Sequence, residues 1–233
     1  MRISRSKIEL FRECPRCFWL DKVQNVKRPD GPGFSLNNAV DELLKREFDG
    51  YRERRERHPL MAHAGIDAVP FQHHELDAWR DSLRRGVEHY HADTNLTLCG
   101  GIDDVWVNRK GQLHVVDYKA TSTAKEISLE DEYKQAYKRQ AEIYQWLFRR
   151  RGFDVSPTAY FVFANGVKDH DEFDGRLEFE MTIIPYEGDD SWVEPVIYDI
   201  RTTLDSELAP PHSSSCKFCL YRAAVDVALR AVE

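Results

Sequence analysis

The chain has 233 residues, of which 42% are hydrophobic and 31% charged, a composition typical of a globular protein with one good-sized core. Its formal net charge of −7 argues against a protein that simply coats nucleic acid. No apolar run approaches the ~20 residues of a membrane helix, and the first residues lack a signal peptide's apolar stretch, so we expect a cytoplasmic protein without a membrane segment.

The N-terminal part of the chain is expected to be helical. Apolar spacing predicts helices over residues 4–20, 35–53 and 75–90. Turn-forming residues mark the loop between the first two helices: Pro29, Gly31, Pro32 and Gly33.

The character of the sequence changes near residue 95, where β-rich runs begin. Residues 96–107 and 112–119 are predicted to be extended and joined by a hairpin turn at 108–111. Further elements are predicted in this order: a helix over 130–151, strands over 158–164 and 177–184, and a helix over 191–206. The pattern indicates an α/β fold with a central mixed β-sheet flanked by helices. We expect one domain with three parts: a helical part (1–92), a core (93–190), and C-terminal helices with a cysteine pair (191–233).

Two C-x2-C pairs lie near opposite ends of the chain, Cys14 with Cys17 and Cys216 with Cys219. In a reducing compartment such pairs indicate metal or cluster ligands before disulfides. Four thiolates suffice for tetrahedral zinc or for a [4Fe–4S] cluster, and their spacing alone favours zinc. A shared site would join the first helix to the C-terminal segment and stabilise the domain.

Asp117 and Lys119 are expected at the end of a strand and on the same face, because strand side chains alternate. Apolar residues precede them on that face, so both charges are costly there unless the strand end opens into a cleft. Asp103 or Asp104 can approach Asp117 across the hairpin. Two carboxylates and an ammonium group suit Mg²⁺ or Mn²⁺, which polarises a phosphoryl oxygen, while Lys119 stabilises developing charge. A surface ion pair is the alternative that the tripeptide alone leaves open.

Gln140 falls on the apolar stripe of the predicted 130–151 helix. A glutamine on a packed face needs hydrogen-bond partners, which are either the active site or other core groups.

Taken in order, these segments resemble the PD-(D/E)XK nuclease superfamily and, within it, the RecB-like branch that contains the CRISPR-associated adaptation exonucleases. The resemblance extends from Ser4 to Cys219. The motifs that carry it are Phe11-x2-Cys14-Pro15-Arg16-x-Phe18-Trp19, Gly101-Ile-Asp103, Val115-Val116-Asp117-Tyr118-Lys119 and Gln140-x3-Tyr144.

The resemblance implies a restriction-endonuclease-like core and a metal-dependent DNA nuclease that hydrolyses phosphodiesters with metal-activated water. Single-stranded DNA or DNA ends are the implied substrate, cleaved as an exonuclease to leave 5′-phosphates. It implies a metal site of Asp103, Asp117 and the Tyr118 carbonyl, with Asp103 preferred to Asp104 because the family's acid follows a glycine-led turn. The implied catalytic residues are Asp103, Asp117, Lys119, Gln140 and Tyr144. No protein partner is indicated.

The sequence departs from the family pattern in two places. Asp41 stands where the branch usually has a metal-binding histidine; it can bind a hard cation directly or through water, or be a solvated helix residue. This departure favours the alternative of a catalytically weak or inactive nucleic-acid-binding module. The cysteines are arranged two plus two, whereas cluster-bearing relatives have one plus three; the resemblance favours [4Fe–4S] over zinc.

Overall fold

The computed structural model describes residues 1–31, 33 and 35–231. Pro32 of the predicted loop and the last two residues of the predicted C-terminal part lie outside the described residues. The chain falls into two compact units. The terminal unit comprises Met1–Pro32, Tyr90–Thr97 and Ser191–Glu233, and the central unit comprises Gly33–His89 and Leu98–Asp190.

Helices and strands alternate irregularly along the chain. The helices of the described residues are α1 (Arg5–Glu13), α2 (Pro15–Lys22), α3 (Ser35–Arg54), α4 (Pro59–His63), α5 (Leu76–Arg80), α6 (Gln135–Arg150), α7 (Val193–Asp205) and α8 (Lys217–Arg230). The strands are β1 (Arg2–Ser4), β2 (Ala68–Pro70), β3 (Val87–His91), β4 (Leu96–Gly100), β5 (Asp104–Asn108), β6 (Leu113–Thr121), β7 (Thr158–Gly166) and β8 (Phe179–Glu187). None of these helices has both the length and the apolar composition that crossing a bilayer requires.

The central unit is built on a five-stranded sheet with the order β2-β5-β6-β7-β8. β6 and β7 are parallel and the other neighbours antiparallel, which confirms the predicted mixed sheet. The hairpin turn between β5 and β6 forms as predicted. The side chain of Asn108 accepts hydrogen bonds from the backbone of Lys110 and Gln112, and Gly111 has a φ of +81°, which favours glycine.

The two faces of β6 have different environments, because its side chains alternate. Val116 and Tyr118 point into an apolar cluster with Leu44 and Phe48 of α3. Asp117, on the opposite face, meets α6. The sheet is therefore flanked by helices, as the sequence predicts, and α3 and α6 lie on opposite sides of the strand that carries the acidic motif.

The predicted helix over residues 4–20 is divided at Cys14, which is extended with φ −161° and ψ 105°. The following Pro15 explains the break, because the proline ring disfavours a helical conformation for the residue before it. α2 then starts at Pro15, where a missing N–H costs nothing. The break places Cys14 at the N-cap of α2.

The predicted helix over 75–90 is wrong beyond Arg80, because the chain turns and enters β3. Gly86 has a φ of +85°, and a Cβ there would lie 2.7 Å from the Gly100 carbonyl oxygen. The predicted extended run over 96–107 is likewise two strands. The strand order places β4 in the sheet β1-β4-β3, whereas β5 belongs to the five-stranded sheet.

Candidate functional site

The corner between β4 and β5 positions Asp103. A Cβ on Gly101 would lie 2.5 Å from the Ser82 Cβ, so this close approach requires glycine. Arg80 Nε donates to the Asp103 carbonyl oxygen at 2.9 Å, and the Asp103 carboxylate Oδ2 accepts the backbone N–H of Tyr118 at 2.9 Å. The backbone of Asp103 is thus held by α5 and its side chain by β6.

Asp117 lies beside Asp103, and the two carboxyl groups are in hydrogen-bonding contact. Asp117 is only 1% exposed. Its Oδ1 accepts a hydrogen bond from Gln140 Nε2 at 2.8 Å, and its Oδ2 is in ion-pair contact with Lys119 Nζ. The corner between β4 and β5, the strand β6 and the helix α6 therefore bring together four of the residues that the sequence predicts for the site.

The two carboxyl groups ionise unequally. Burial raises the pKa of Asp117, and the charge of Asp103 adds to this, so that the pKa is about 7 in spite of Lys119. Burial also opposes ionisation of Asp103, but Lys45 and Lys119 outweigh it and lower the pKa of Asp103. With a pKa of about 7, Asp117 still carries a proton in part of the molecules at neutral pH. A divalent cation that binds both carboxylates would displace this proton.

Asp41 and Lys45, one turn apart on α3, complete the cluster. Lys45 Nζ lies 2.6 Å from Asp41 Oδ2 and 3.2 Å from Asp103 Oδ1. Burial and the charge of Asp103 raise the pKa of Asp41, which identifies the two carboxylates as electrostatic neighbours. Sequence analysis singled out Asp41 and missed Lys45; the i,i+4 spacing on a predicted helix is the signal that identifies it.

Asp104 points away from this cluster, on the face of the sheet that carries Val116. It is fully buried and forms ion pairs with Arg52 and Arg80, and it accepts the Tyr118 hydroxyl at 2.7 Å. The structure thus separates the two candidate acids: Asp103 lies with Asp117, whereas Asp104 belongs to a buried ionic network.

The aromatic residues around Lys119 form a short chain toward solvent. Lys119 Nζ lies 4.6 Å from the centre of the Tyr137 ring, and Tyr137 meets the 63% exposed Tyr133 edge to face, with ring centres 6.3 Å apart. Tyr144, by contrast, is 2% exposed and donates its hydroxyl to the Gly101 carbonyl at 2.5 Å. Tyr144 therefore supports the glycine corner from inside the unit.

The carboxylates of Asp103 and Asp117 offer oxygen ligands to a hard divalent cation. Asp41 Oδ1 and Asp117 Oδ2 are buried and have no hydrogen-bond partner among the described residues. Unpaired buried carboxylate oxygens are costly unless a positive group neutralises them. Lys119 contacts one of the two, and oxygen ligands of this kind are those that Mg²⁺ and Mn²⁺ prefer.

The four paired cysteines meet in the terminal unit, as the sequence predicts. The two pairs are built alike: Cys14 and Cys216 are the N-cap residues of α2 and α8, and Cys17 and Cys219 lie in the first turns. A helix N-terminus favours negative charge and so the thiolate form of both pairs, whereas burial raises the pKa of Cys17 and of Cys219. Burial opposes ionisation of Cys216, but the backbone N–H of Cys219 and the neighbouring thiols outweigh it and lower the pKa of Cys216 to about 6.

The spacing of the sulfurs fits one ion. The Sγ–Sγ separations are 3.8 Å for Cys14–Cys219 and 3.6 Å for both Cys17–Cys216 and Cys17–Cys219, and all four sulfurs lie within 4.8 Å of one another. Sulfurs bound about 2.3 Å from a tetrahedral zinc ion are about 3.8 Å apart. In a [4Fe–4S] cluster each thiolate extends outward from its own iron, which requires wider spacing.

Arg28 borders this site. Its guanidinium Nη2 lies 3.5 Å from Cys216 Sγ, within the range of an N–H···S hydrogen bond, and its carbon Cζ lies 4.5 Å from the centre of the Phe218 ring. A cation at this position offsets part of the negative charge of a four-thiolate site.

Comparison with known proteins agrees with the geometry. The family model of the PD-(D/E)XK nuclease superfamily matches residues 2–224. No curated protein matches the chain. A solved structure described as "Crystal structure of SSO0001" is similar at 16% sequence identity and a TM-score of 0.41, over 95% of this chain and 84% of that chain. The family match covers nearly the whole chain, and the chain therefore belongs to the PD-(D/E)XK nuclease superfamily.

Proposed function

We propose that the protein is a metal-dependent nuclease that hydrolyses DNA phosphodiester bonds at the Asp103–Asp117–Lys119 cluster. The observation that carries the proposal is the convergence at one strand end of the buried Asp117, the partly buried Asp103 and one lysine. A bound Mg²⁺ or Mn²⁺ would polarise the phosphate and lower the pKa of its water.

Each residue of the cluster has a proposed task. The carboxylates of Asp103 and Asp117 and the carbonyl of Tyr118 would hold the ion, and Asp41 would be a further ligand, directly or through water. Gln140 orients Asp117 through its 2.8 Å hydrogen bond. Lys119 positions the attacking water and stabilises negative charge that develops on the phosphate.

Single-stranded DNA or DNA ends are the proposed substrates, cleaved as an exonuclease. The Lys119–Tyr137–Tyr133 chain supports this proposal, because an exposed tyrosine close to the active-site lysine offers a surface on which unpaired bases stack. Bases in an intact duplex are already stacked and gain less from such a surface.

End-labelled single- and double-stranded DNA, with RNA in parallel, tests the proposal. We expect cleavage with Mg²⁺ or Mn²⁺ and none with EDTA, faster on the single strand, and we expect the Asp117→Asn variant to lose it. The order in which products appear from each labelled end gives the direction of cleavage along the strand, and it distinguishes an exonuclease from an endonuclease. Cleavage that is independent of metal, or equal in the Asp117→Asn variant, would contradict the proposal.

A nucleic-acid-binding module without catalysis is the second candidate. The observation that favours it is Asp41 at the position of the family histidine, where its Oδ2 is already paired with Lys45 at 2.6 Å. DNA binding without cleavage under every metal condition in the same assay identifies this alternative.

For the four cysteines we propose a structural zinc ion, located in a cytoplasmic protein whose surroundings keep thiols reduced. Three sulfur separations of 3.6–3.8 Å, with all four sulfurs within 4.8 Å of one another, support zinc over the [4Fe–4S] cluster that the family resemblance favours. The ion would join the first turns of α2 and α8 and so stabilise the terminal unit.

The purified protein is expected to be colourless and to contain one zinc ion per chain. Replacement of Cys216 by serine should remove the zinc and lower the free energy of unfolding by several kcal/mol, since metal binding contributes directly to folding. Cys99→Ser, which changes a buried cysteine outside the cluster, is the matched control and should retain zinc. Brown protein with iron and absorption near ~400 nm would identify the cluster instead.

A further inference from the structure

We propose that the ammonium group of Lys45 takes the place of a second divalent cation, so that the acidic cluster binds one metal ion and not two. The inference rests on the proposed nuclease function and concerns how the same site is built. Superfamily membership by itself does not determine the number of ions.

The position of the ammonium group is the first argument. Lys45 Nζ bridges two carboxylates, at 2.6 Å from Asp41 Oδ2 and 3.2 Å from Asp103 Oδ1. A divalent cation that bridged the same carboxylates would occupy the same space between these oxygens. Ion and ammonium group therefore exclude each other, both by volume and by charge.

Lys45 is also held where it is. Its side chain is only 21% exposed, and it leaves α3 one turn after Asp41, so that this pair forms within the helix itself. Burial disfavours the charged lysine, but the charges of Asp103 and Asp41 more than compensate and raise the pKa of Lys45. Withdrawal of Lys45 into solvent would take from Asp41 and Asp103 the ammonium group that contacts both, and leave only the charge of Lys119 near them among the residues that the structure describes.

The charge of the whole cluster is the second argument. Fully ionised, Asp41, Asp103 and Asp117 with Lys45 and Lys119 carry a net charge of −1. One divalent cation changes this to +1, which a phosphodiester of charge −1 neutralises. Two cations would give +3 in a half-buried site, where like charges repel strongly.

The oxygens that Lys45 does not use indicate where the single ion binds. Asp41 Oδ1 is buried without a hydrogen-bond partner among the residues described, and Asp117 Oδ2 is buried with Lys119 as its ion-pair partner, whereas Asp41 Oδ2 is used by Lys45. Lys45 thus acts as a positioning residue: it fixes Asp41 and Asp103 through one oxygen each and leaves the ion to the Asp117 side of the cluster.

The experiment counts Mn²⁺ ions on the full chain, purified with its four-cysteine site loaded. Electron paramagnetic resonance measures the free Mn²⁺ during a titration, and the bound Mn²⁺ is the difference from the amount added. The number of ions bound to the acidic cluster is the number that the wild type binds beyond the Asp103→Asn/Asp117→Asn double variant. Two Mn²⁺ ions about 3.5–4 Å apart give a spin-coupled signal, which a single ion lacks. Variants are Lys45→Gln, which removes the charge, Lys45→Arg, which keeps it, and Lys110→Gln in the exposed hairpin turn as control.

We expect one uncoupled Mn²⁺ in the wild type, Lys45→Arg and Lys110→Gln chains, and two coupled ions in Lys45→Gln. A coupled pair in the wild type overturns the inference and needs no variant. A count of one or none in a Lys45→Gln chain that circular dichroism shows to be folded also overturns it. Both of these results leave a metal-dependent nuclease intact, whereas a wild-type cluster that binds no Mn²⁺ overturns the proposed function as well.

Discussion

Replacement of Lys119 by alanine is expected to lower the rate of metal-dependent DNA cleavage by about 10²–10³-fold, the effect of removing one preorganised charge-stabilising group. Lys119 Nζ is in ion-pair contact with Asp117, and its side chain is 17% exposed, so it is shielded and yet reachable from the cluster. Initial rates on end-labelled single-stranded DNA measure the effect. Mn²⁺ binding should persist, because the proposed ligands all remain.

Lys110→Ala provides the control for this experiment. Lys110 lies in the exposed turn between β5 and β6, at the other end of the hairpin, and the same substitution there should leave the rate unchanged. Equal rates for the wild type and Lys119→Ala chains would mean that a contaminant or another site performs the cleavage. Loss of Mn²⁺ binding together with activity would mean that Lys119 supports the cluster and does not act in the chemical step.

Replacement of Asp104 by alanine is expected to lower the free energy of unfolding by about 3–5 kcal/mol, because it removes the fully buried carboxylate that two largely buried cations share. Arg52 and Arg80 both contact Asp104, and their side chains are only 6% and 13% exposed. The Tyr118 hydroxyl loses its acceptor at the same time. Urea unfolding followed by circular dichroism measures the change.

Asp67→Ala is the matched control for Asp104→Ala. Asp67 also pairs with an arginine, Arg109, at 3.0 Å, but the two side chains are 57% and 83% exposed. Exposed pairs of this kind contribute at most ~1 kcal/mol, so the control should unfold close to the wild type. Similar losses in both variants would contradict a special role for the buried network.

A smaller effect of Asp104→Ala would point to Asp49 as the reason. Asp49 accepts hydrogen bonds from Arg52 at 3.1 Å and from Arg80 at 2.7 Å, so it remains as a partner for both cations. The Asp49→Asn/Asp104→Asn double variant separates the two acids, since strongly coupled residues give a loss that differs from the sum of the single losses.

Local sequence signals predicted most elements correctly but misplaced their ends. The turn at 108–111 and the helix over 35–53 form because Asn, Gly and apolar spacing act over a few residues. The helix over 75–90 failed because Gly86 and the close approach to Gly100 impose a turn that depends on a distant part of the chain. Pro15 divided the first helix, a signal present in the sequence but outweighed in our interpretation by apolar spacing.

The sequence by itself determined the chemistry that is available: the D-Y-K strand end, the glycine-led turn, Gln140 and two C-x2-C pairs are ordered motifs that indicate the superfamily. Only the tertiary structure decided how these groups are used. Asp103 and Asp104 are adjacent in sequence, yet Asp103 contacts Asp117 and Asp104 contacts Arg52. Successive side chains point to opposite faces of the sheet, and the residues that meet each face come from α3, α5 and α6. Packing also places Lys45 beside Asp103 and brings the four cysteine sulfurs within 4.8 Å of one another. Both arrangements join residues that are far apart in the sequence, so local sequence patterns do not determine them.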